Sequence, residues 1–361
     1  MANIDELFNS NVLLNYYQTR QIPPMLGESL FPTMKIQDIE FDMITGADGL
    51  PVSASIHAFD TETELASREA IQKGAASLAL IKRKIRIGEK DLIKINTPRT
   101  NAEQQLAIQK LFNDSDKMVQ AVQTRAEAMR MELLSTGKIN INENGVAVEL
   151  DYKVPEANTK TFDWSDPKKA TPLVDIQTLA QAVQETSGVL PTRALTSTKV
   201  LNQILSAVSV KKAIFGVNSD KIATRNDLNT LLTAMELPTI AVYDAKYRVL
   251  GADGKYTTKR YFNESSFTVF GPDKVGDSVF GLTAEEIELI GDNKMTQAEM
   301  VGNIFVGVEK ETDPVARFTK AAATFLPSLV TGNTIGIATI QEISKAASAP
   351  SSEGPLATGK Q

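Results

Sequence analysis

The residues able to do chemistry are few in this chain and stand far apart. His57 is the one histidine, and there is no cysteine. A zinc site or a hydrolytic triad needs several such groups converging, so His57 reads as a solvated loop residue. Glu285, Glu286 and Glu288 offer neighbouring carboxylates, but adjacent acids on a short element read as a solvated face rather than an acid–base pair. Asp114-Ser-Asp116 lacks the spacing of a calcium loop. Gly251-Ala-Asp-Gly254-Lys255 has the composition of a phosphate loop without its spacing or the Ser/Thr after lysine, and reads as a hairpin turn. Asn263-Glu-Ser265 matches a glycosylation sequon, which carries meaning only in a secreted chain. No nucleophile elbow, dinucleotide fingerprint or His-Glu-x-x-His is present. Lys82-Arg-Lys-Ile-Arg86 is the one basic cluster; no aromatic is interleaved for base stacking, and its alternation favours a strand. The residues therefore imply neither an enzyme nor a cofactor or metal.

Composition is that of an ordinary soluble globular protein. The 361 residues suffice for two domains, with 42% hydrophobic and 23% charged residues. The net charge of −6 provides no global field for gripping nucleic acid. No apolar run reaches membrane length, and Met1-Ala-Asn-Ile-Asp-Glu6 has no basic n-region or apolar core, so the expectation is a cytosolic protein with no membrane contact.

The element that organises the rest is a long helix over 100–136. Thr100-Asn-Ala-Glu103 is a capping box behind Pro98, Gly137 is a left-handed stop, and Ile108, Leu111, Met118, Val122, Ala126, Met129 and Leu133 recur at helical spacing. At 1.5 Å per residue it would run roughly 50 Å, a rod laid along a sheet. Ahead of it, 1–33 reads as an arm: Leu7 to Tyr17 forms a short helix, and Pro23-Pro24, Gly27 and Pro32 forbid regular structure. After it, 139–154 is a hairpin turning at Asn144-Gly145, and 161–172 a polar linker holding Trp164. Helices follow over 175–186, from Thr196-Ser197 to Val208, and from a cap at Asn226 to Leu237. Strands follow at 239–243, 257–262, 266–270, 304–308, 316–325 and 329–340. The tail 346–361, rich in Ala, Ser, Pro and Gly, reads as disordered.

Two strands frame an excursion too long for an ordinary loop. In 38–43, Asp38, Glu40 and Asp42 share one face and Ile39, Phe41 and Met43 the other. In 81–87, Lys82, Lys84 and Arg86 share one face and Ile81, Ile85 and Ile87 the other. Antiparallel pairing of Asp42 with Lys82, Glu40 with Lys84 and Asp38 with Arg86 would align three opposite charges and set apolar against apolar behind them. That pairing is the expected stem of a loop reaching a neighbouring subunit, with these six residues as its stem or intersubunit contacts.

The order of elements resembles the major capsid proteins of tailed bacteriophages, with the Hong Kong 97-type fold, and in particular the lambda-type major capsid protein family. Ser187-Gly-Val-Leu-Pro-Thr-Arg193, with Leu201, Ile204, Leu205 and Val210-Lys-Lys212, is similar to the start of that family's axial domain. So is Ala241-Val-Tyr243-Asp-Ala-Lys-Tyr247 with Lys259-Arg-Tyr-Phe262. Thr268-Val-Phe-Gly271, Val279-Phe-Gly281, Asp313-Pro314 and Arg317-Phe-Thr319 with Leu329 and Ile337 are similar to its later strands. The resemblance implies an α+β capsid fold. Its parts are an N-terminal arm (1–33), an extended β-hairpin loop (34–90), a peripheral β domain with the spine helix (91–172 and 303–345), an α/β axial domain (173–302) and a tail. It implies a coat protein forming hexamers and pentamers of an icosahedral head around double-stranded DNA, located in the virion after assembly in the host cytoplasm. Scaffolding protein, portal and decoration protein would be partners, and DNA a non-specific one. The extended loop would lie over the next subunit. A bacterial nanocompartment shell protein of the encapsulin type is the alternative. No catalytic residue carries over.

Overall fold

The computed structural model describes residues 25–45, 72–97, 100–216, 221–251, 253–291, 298–330 and 332–341. In chain order the elements are α1 (Leu26–Leu30), β1 (Thr33–Lys35), β2 (Glu40–Thr45), β3 (Gln72–Ser77), β4 (Ala79–Ile87), α2 (Glu89–Asn96) and α3 (Asn101–Thr136). There follow β5 (Lys138–Glu143), β6 (Val146–Asp151), β7 (Thr159–Phe162), α4 (Pro172–Ser187), β8 (Arg193–Thr196), α5 (Thr198–Ser206), α6 (Val208–Phe215), α7 (Arg225–Ala234) and β9 (Thr239–Val242). The chain continues with β10 (Lys246–Leu250), β11 (Tyr256–Arg260), β12 (Ser266–Phe270), β13 (Gly276–Gly281), α8 (Ala284–Gly291), β14 (Ala298–Val301), β15 (Ile304–Thr312), β16 (Val315–Leu329) and β17 (Ile335–Ile340).

The long helix forms where its end signals place it. Thr100 Oγ1 accepts from the Glu103 amide at 3.2 Å, and Gly137 closes the helix at φ 71°. Its 36 residues span about 54 Å. Met118, Val122, Ala126, Met129 and Leu133 are buried as the spacing requires; the side chains of Ile108 and Leu111 lie outside the described residues. The burial exceeds one stripe. From Ala126 to Met131 every residue is buried, because this half is enclosed between two sheets. The first sheet is six-stranded: β1-β13-β16-β15-β14, with β4 also paired to β16. The second is five-stranded, in the order β7-β17-β12-β8-β9. It packs with α4 to α7 around Ile176, Leu179, Val183, Ile204, Leu228 and Phe267. Hydroxyls of β12 bind the helix end: Thr268 Oγ1 donates to the Leu134 carbonyl at 2.9 Å and Ser266 Oγ to that of Ser135 at 3.0 Å. They satisfy carbonyls that a helix C-terminus leaves open.

The proposed stem register is wrong. β2 pairs with β3, Glu40 opposite Ser77 and Asp42 opposite Ala75. β4 pairs instead with β16, Lys82 opposite Ala322, Lys84 opposite Lys320 and Arg86 opposite Phe318. The reason is energetic. Joining the broad sheet lays Ile81 and Ile85 against the core that contains the long helix. Full burial of such a side chain stabilises by about 1.5–3 kcal/mol and partial burial by a share of that, against about 0–1 kcal/mol for an exposed ion pair. An antiparallel pair still frames the excursion, but it is 40–45 with 72–77. The 34–90 span is cut back at both ends, since β1 and β4 belong to the large sheet.

Other expectations shift too. Leu26–Leu30 is helical despite its flanking prolines, and Phe31 is fully buried. The segment 161–172 is no polar linker: Trp164 is 1% exposed, stacked on Phe162 and edge-on to Phe267, and its Nε1 donates to Asp175 at 2.7 Å. β13, expected with 173–302, lies in the first sheet, and β17 closes the second. The helix expected to start at Asn226 is capped two residues earlier by a Thr224–Asp227 capping box. The helix break falls at Ala207, and α2 carried no expectation. The 139–154 hairpin turns as expected, with Asn144 at φ 51° and Gly145 at φ 83°. The turn at Gly251–Lys255 joins β10 to β11. Leu7 to Tyr17, His57 and the tail lie outside the described residues.

Candidate assembly surfaces

The stem candidates separate in space. Asp38 is exposed in the turn before β2, where its Oδ1 accepts from the Ile39 amide at 2.7 Å. Glu40 is exposed at the start of β2; the Asp42 side chain lies outside the described residues. Lys82, Lys84 and Arg86 lie together on the sheet face turned away from the long helix, because Ile81 and Ile85 on the opposite face pack against the core. Lys84 Nζ sits 4.6 Å from the centre of the Phe318 ring.

The anionic partner of Lys82 is Glu285, a residue the sequence presents as a solvated acid. Glu285 and Glu286 are each only 6% exposed. Glu285 Oε1 receives Lys82 Nζ and Lys320 Nζ, both at 2.7 Å, and Lys320 also lies 2.9 Å from Glu309. Glu286 pairs with Lys35. The first turn of α8 thus ties β1, β4 and β16 into one face. The Glu288 side chain lies outside the described residues. Burial pushes the Glu285 carboxyl upward, but hydrogen bonds from Lys320 and Lys82 outweigh it and hold the group at about 2. Burial likewise depresses Lys320, and its bonds to Glu285 and Glu309 raise it overall. A carboxylate this acidic stays ionised at neutral pH and is an ion-pair staple, not a proton-transfer group.

The depressed value fixes a pH window. Glu285 contributes fully above its ordinary 4.5 and loses that contribution as pH falls toward 2. Acid unfolding of Glu285→Gln is expected to be flatter than that of the parent between these pH values; superimposable profiles would show that the staple contributes nothing.

Apolar surface gathers at hairpin ends. Leu250 (51% exposed) and Tyr256 (59%) face each other across the last pair of β10 and β11. Val146 and Val148 are exposed near the tip of the β5–β6 hairpin. The base of the β10–β11 hairpin carries a tyrosine stack, with Tyr247 and Tyr261 ring centres 4.7 Å apart and Tyr243 6.0 Å from Tyr261. Exposed pairs of this kind mark contact surfaces more than solitary apolar residues do. Among the described residues no three metal-ligating side chains converge, and no helix is long and apolar enough to cross a membrane. The Glu285–Lys82 pairing was hidden because it spans some two hundred positions. The one local hint was two acids in the first turn after a Thr283 cap, whose Oγ1 accepts from the Glu286 amide.

The chain matches the sequence profile of the family described as phage major capsid protein E over residues 9–340. No curated protein matches it. Among solved structures it is similar to a putative capsid protein of a prophage of Escherichia coli CFT073, at 16% identity and a TM-score of 0.59. That alignment covers 92% of this chain and 99% of the other. It is also similar to a phage-related protein of Bordetella bronchiseptica RB50, at 11% identity and a TM-score of 0.54, covering 92% and 97%. At such identities the structures show a shared fold: the mixed α+β architecture of phage capsid proteins. The family match favours the phage head over the compartment shell and suggests a non-enzymatic role in multimeric shells, located in the virion. The chain belongs to the phage major capsid protein E family, and it is a coat protein of a bacteriophage head.

Proposed function

We propose that this subunit closes an icosahedral shell as hexamers and pentamers, and that the β2–β3 ribbon is a principal contact between subunits. The observation that carries the reading is topological. β2 and β3 pair only with each other among the described residues, while β4 directly after them is built into the large sheet. A two-stranded ribbon alone is marginal in water and gains stability by packing on something else. The core around the long helix and the first sheet serves as the peripheral domain, and the second core, with the β10–β11 hairpin, as the axial domain around the capsomer axis. Asp38, Glu40 and Asp42 at the stem, and Lys84 and Arg86 on the sheet face, are the charged candidates for contacts between copies. A scaffolding protein and a portal guide closure in the host cytoplasm, and a decoration protein binds the finished surface. The net charge of −6 fits a wall that encloses DNA without gripping it.

Replacing residues 46–71 with a short glycine-containing turn tests the role of the ribbon. The expected result is a subunit that unfolds cooperatively within about 1 kcal/mol of the parent, because loop length costs little, yet forms no closed shells beside its scaffolding protein. Closed shells from this variant, or loss of cooperative unfolding, would contradict the proposal.

A further inference from the structure

Glu127 and Arg130 form an ion pair deep in the molecule, 0% and 2% exposed, with Glu127 Oε2 3.3 Å from Arg130 Nη1. The other carboxylate oxygen, Oε1, accepts two hydrogen bonds from distant parts of the chain. One comes from the Gly27 amide at 2.9 Å and one from the Tyr243 hydroxyl at 3.0 Å. Arg130 Nε donates to Ser278 Oγ at 2.8 Å, and Ser278 Oγ donates to the Phe31 carbonyl at 2.7 Å. The segment 26–31 is therefore held at one end by the anion and at the other by the cation through Ser278. It approaches so closely that a Cβ on Gly27 would fall on the Glu127 carboxylate and the Arg130 stem.

We propose that Glu127 couples the docking of segment 26–31 to the seating of the Tyr243 loop and its β10–β11 hairpin, so that the two attach and release together. The coupling runs through shared dehydration. With both elements in place the carboxylate is sealed from water and its donors act in a low-dielectric site, where hydrogen bonds to a charged group are strong. When segment 26–31 leaves, Oε1 loses a donor and water reaches the ion pair. A hydrated carboxylate holds Tyr243 far more weakly, since water competes for the same lone pairs. The argument is symmetric: freeing Tyr243 exposes Glu127 and loosens its hold on Gly27. Linkage requires the two effects to be equal. In a shell subunit this ties the segment 26–31 on the first sheet to the separate β10–β11 hairpin that follows β9, the edge strand of the second sheet.

Hydrogen exchange of the full chain tests the coupling. Tyr243→Phe removes one donor to the carboxylate and keeps the ring. It is expected to speed amide exchange in 27–31 by about 10-fold, the size of one hydrogen bond to a charged group. Reciprocally, Ser278→Ala, which cuts the Arg130–Phe31 relay without inserting bulk, is expected to speed exchange in 243–250 by a similar factor. Tyr247→Phe is the control: it alters the same tyrosine stack without touching Glu127, and should leave 27–31 within about twofold, a change too small for a lost hydrogen bond. The proposal is overturned if Tyr243→Phe leaves 27–31 unchanged, if Tyr247→Phe accelerates it equally, or if Ser278→Ala acts on its own side alone.

Discussion

Replacing Arg130 with methionine is expected to destabilise the subunit by about 3–5 kcal/mol, the range for removing one partner of a buried ion pair. Methionine fills much of the volume of the arginine stem, so cavity formation is a minor part of the loss. The main cost is the Glu127 carboxylate, fully buried and left with only the Gly27 amide and the Tyr243 hydroxyl as donors. Ser278 Oγ loses its donor as well, and the guanidinium contact with the Phe325 ring, 5.2 Å from its centre, disappears. Burial pushes the Arg130 pKa down and the Glu127 carboxylate pushes it back. The pair is thus costly to bury and more costly to break. A second substitution, Glu127→Leu, should not restore stability, because it would orphan the Gly27 amide and the Tyr243 hydroxyl. Denaturant midpoints of the single and double variants decide: a double variant as stable as the parent would show that the pair has no other dependants.

Truncating Trp164 to alanine is the second large effect, expected at about 3–5 kcal/mol. The indole is 1% exposed, with ring centres 5.9 Å from Phe162 and 5.8 Å from Phe267. Its removal leaves a void between β7, β12 and α4 and deprives Asp175 of the indole N–H. Trp164→Phe measures what refilling part of that void restores. It retains an aromatic ring in the stack and is expected to lose about 1–3 kcal/mol, for the vacated volume and the lost hydrogen bond. Equal losses in the two variants would show that the volume a phenyl ring refills contributes nothing. The wild-type tryptophan fluorescence, which has one source, reports the same core directly.

What was legible in the sequence is what local chemistry decides. Thr100 and Gly137 bracket the long helix, Asn144-Gly145 sets a hairpin turn, and Gly188 ends α4, because each depends on residues within one turn of itself. The partner of β4 was not legible. Its alternating charges match the acids of 38–42, but the strand is placed by Ile81 and Ile85 seeking the core, an influence carried by residues 317–325 far along the chain. Glu285 failed for the same reason: two acids in a row look solvated until two lysines from other strands close over one of them. Glu127 and Arg130 stand one turn apart in an otherwise apolar stretch of the helix. Neither carried an expectation, because their burial comes from elements distant in the chain that enclose them on either side. Trp164, surrounded in sequence by Asp, Ser, Pro and Lys, was mistaken for part of a linker; its core is assembled from β12 and α4.

Electron cryomicroscopy of the particles formed by the full chain, alone or with the proposed scaffolding protein, tests the central claim most directly. The account predicts closed shells of hexamers and pentamers. In their reconstruction the long helix runs along the peripheral domain of each subunit, and the ribbon that begins at β2 and β3 rests on a neighbouring copy. A chain that remains monomeric at high concentration, with the proposed scaffolding protein present, or shells in which that ribbon folds back onto its own subunit, would contradict it.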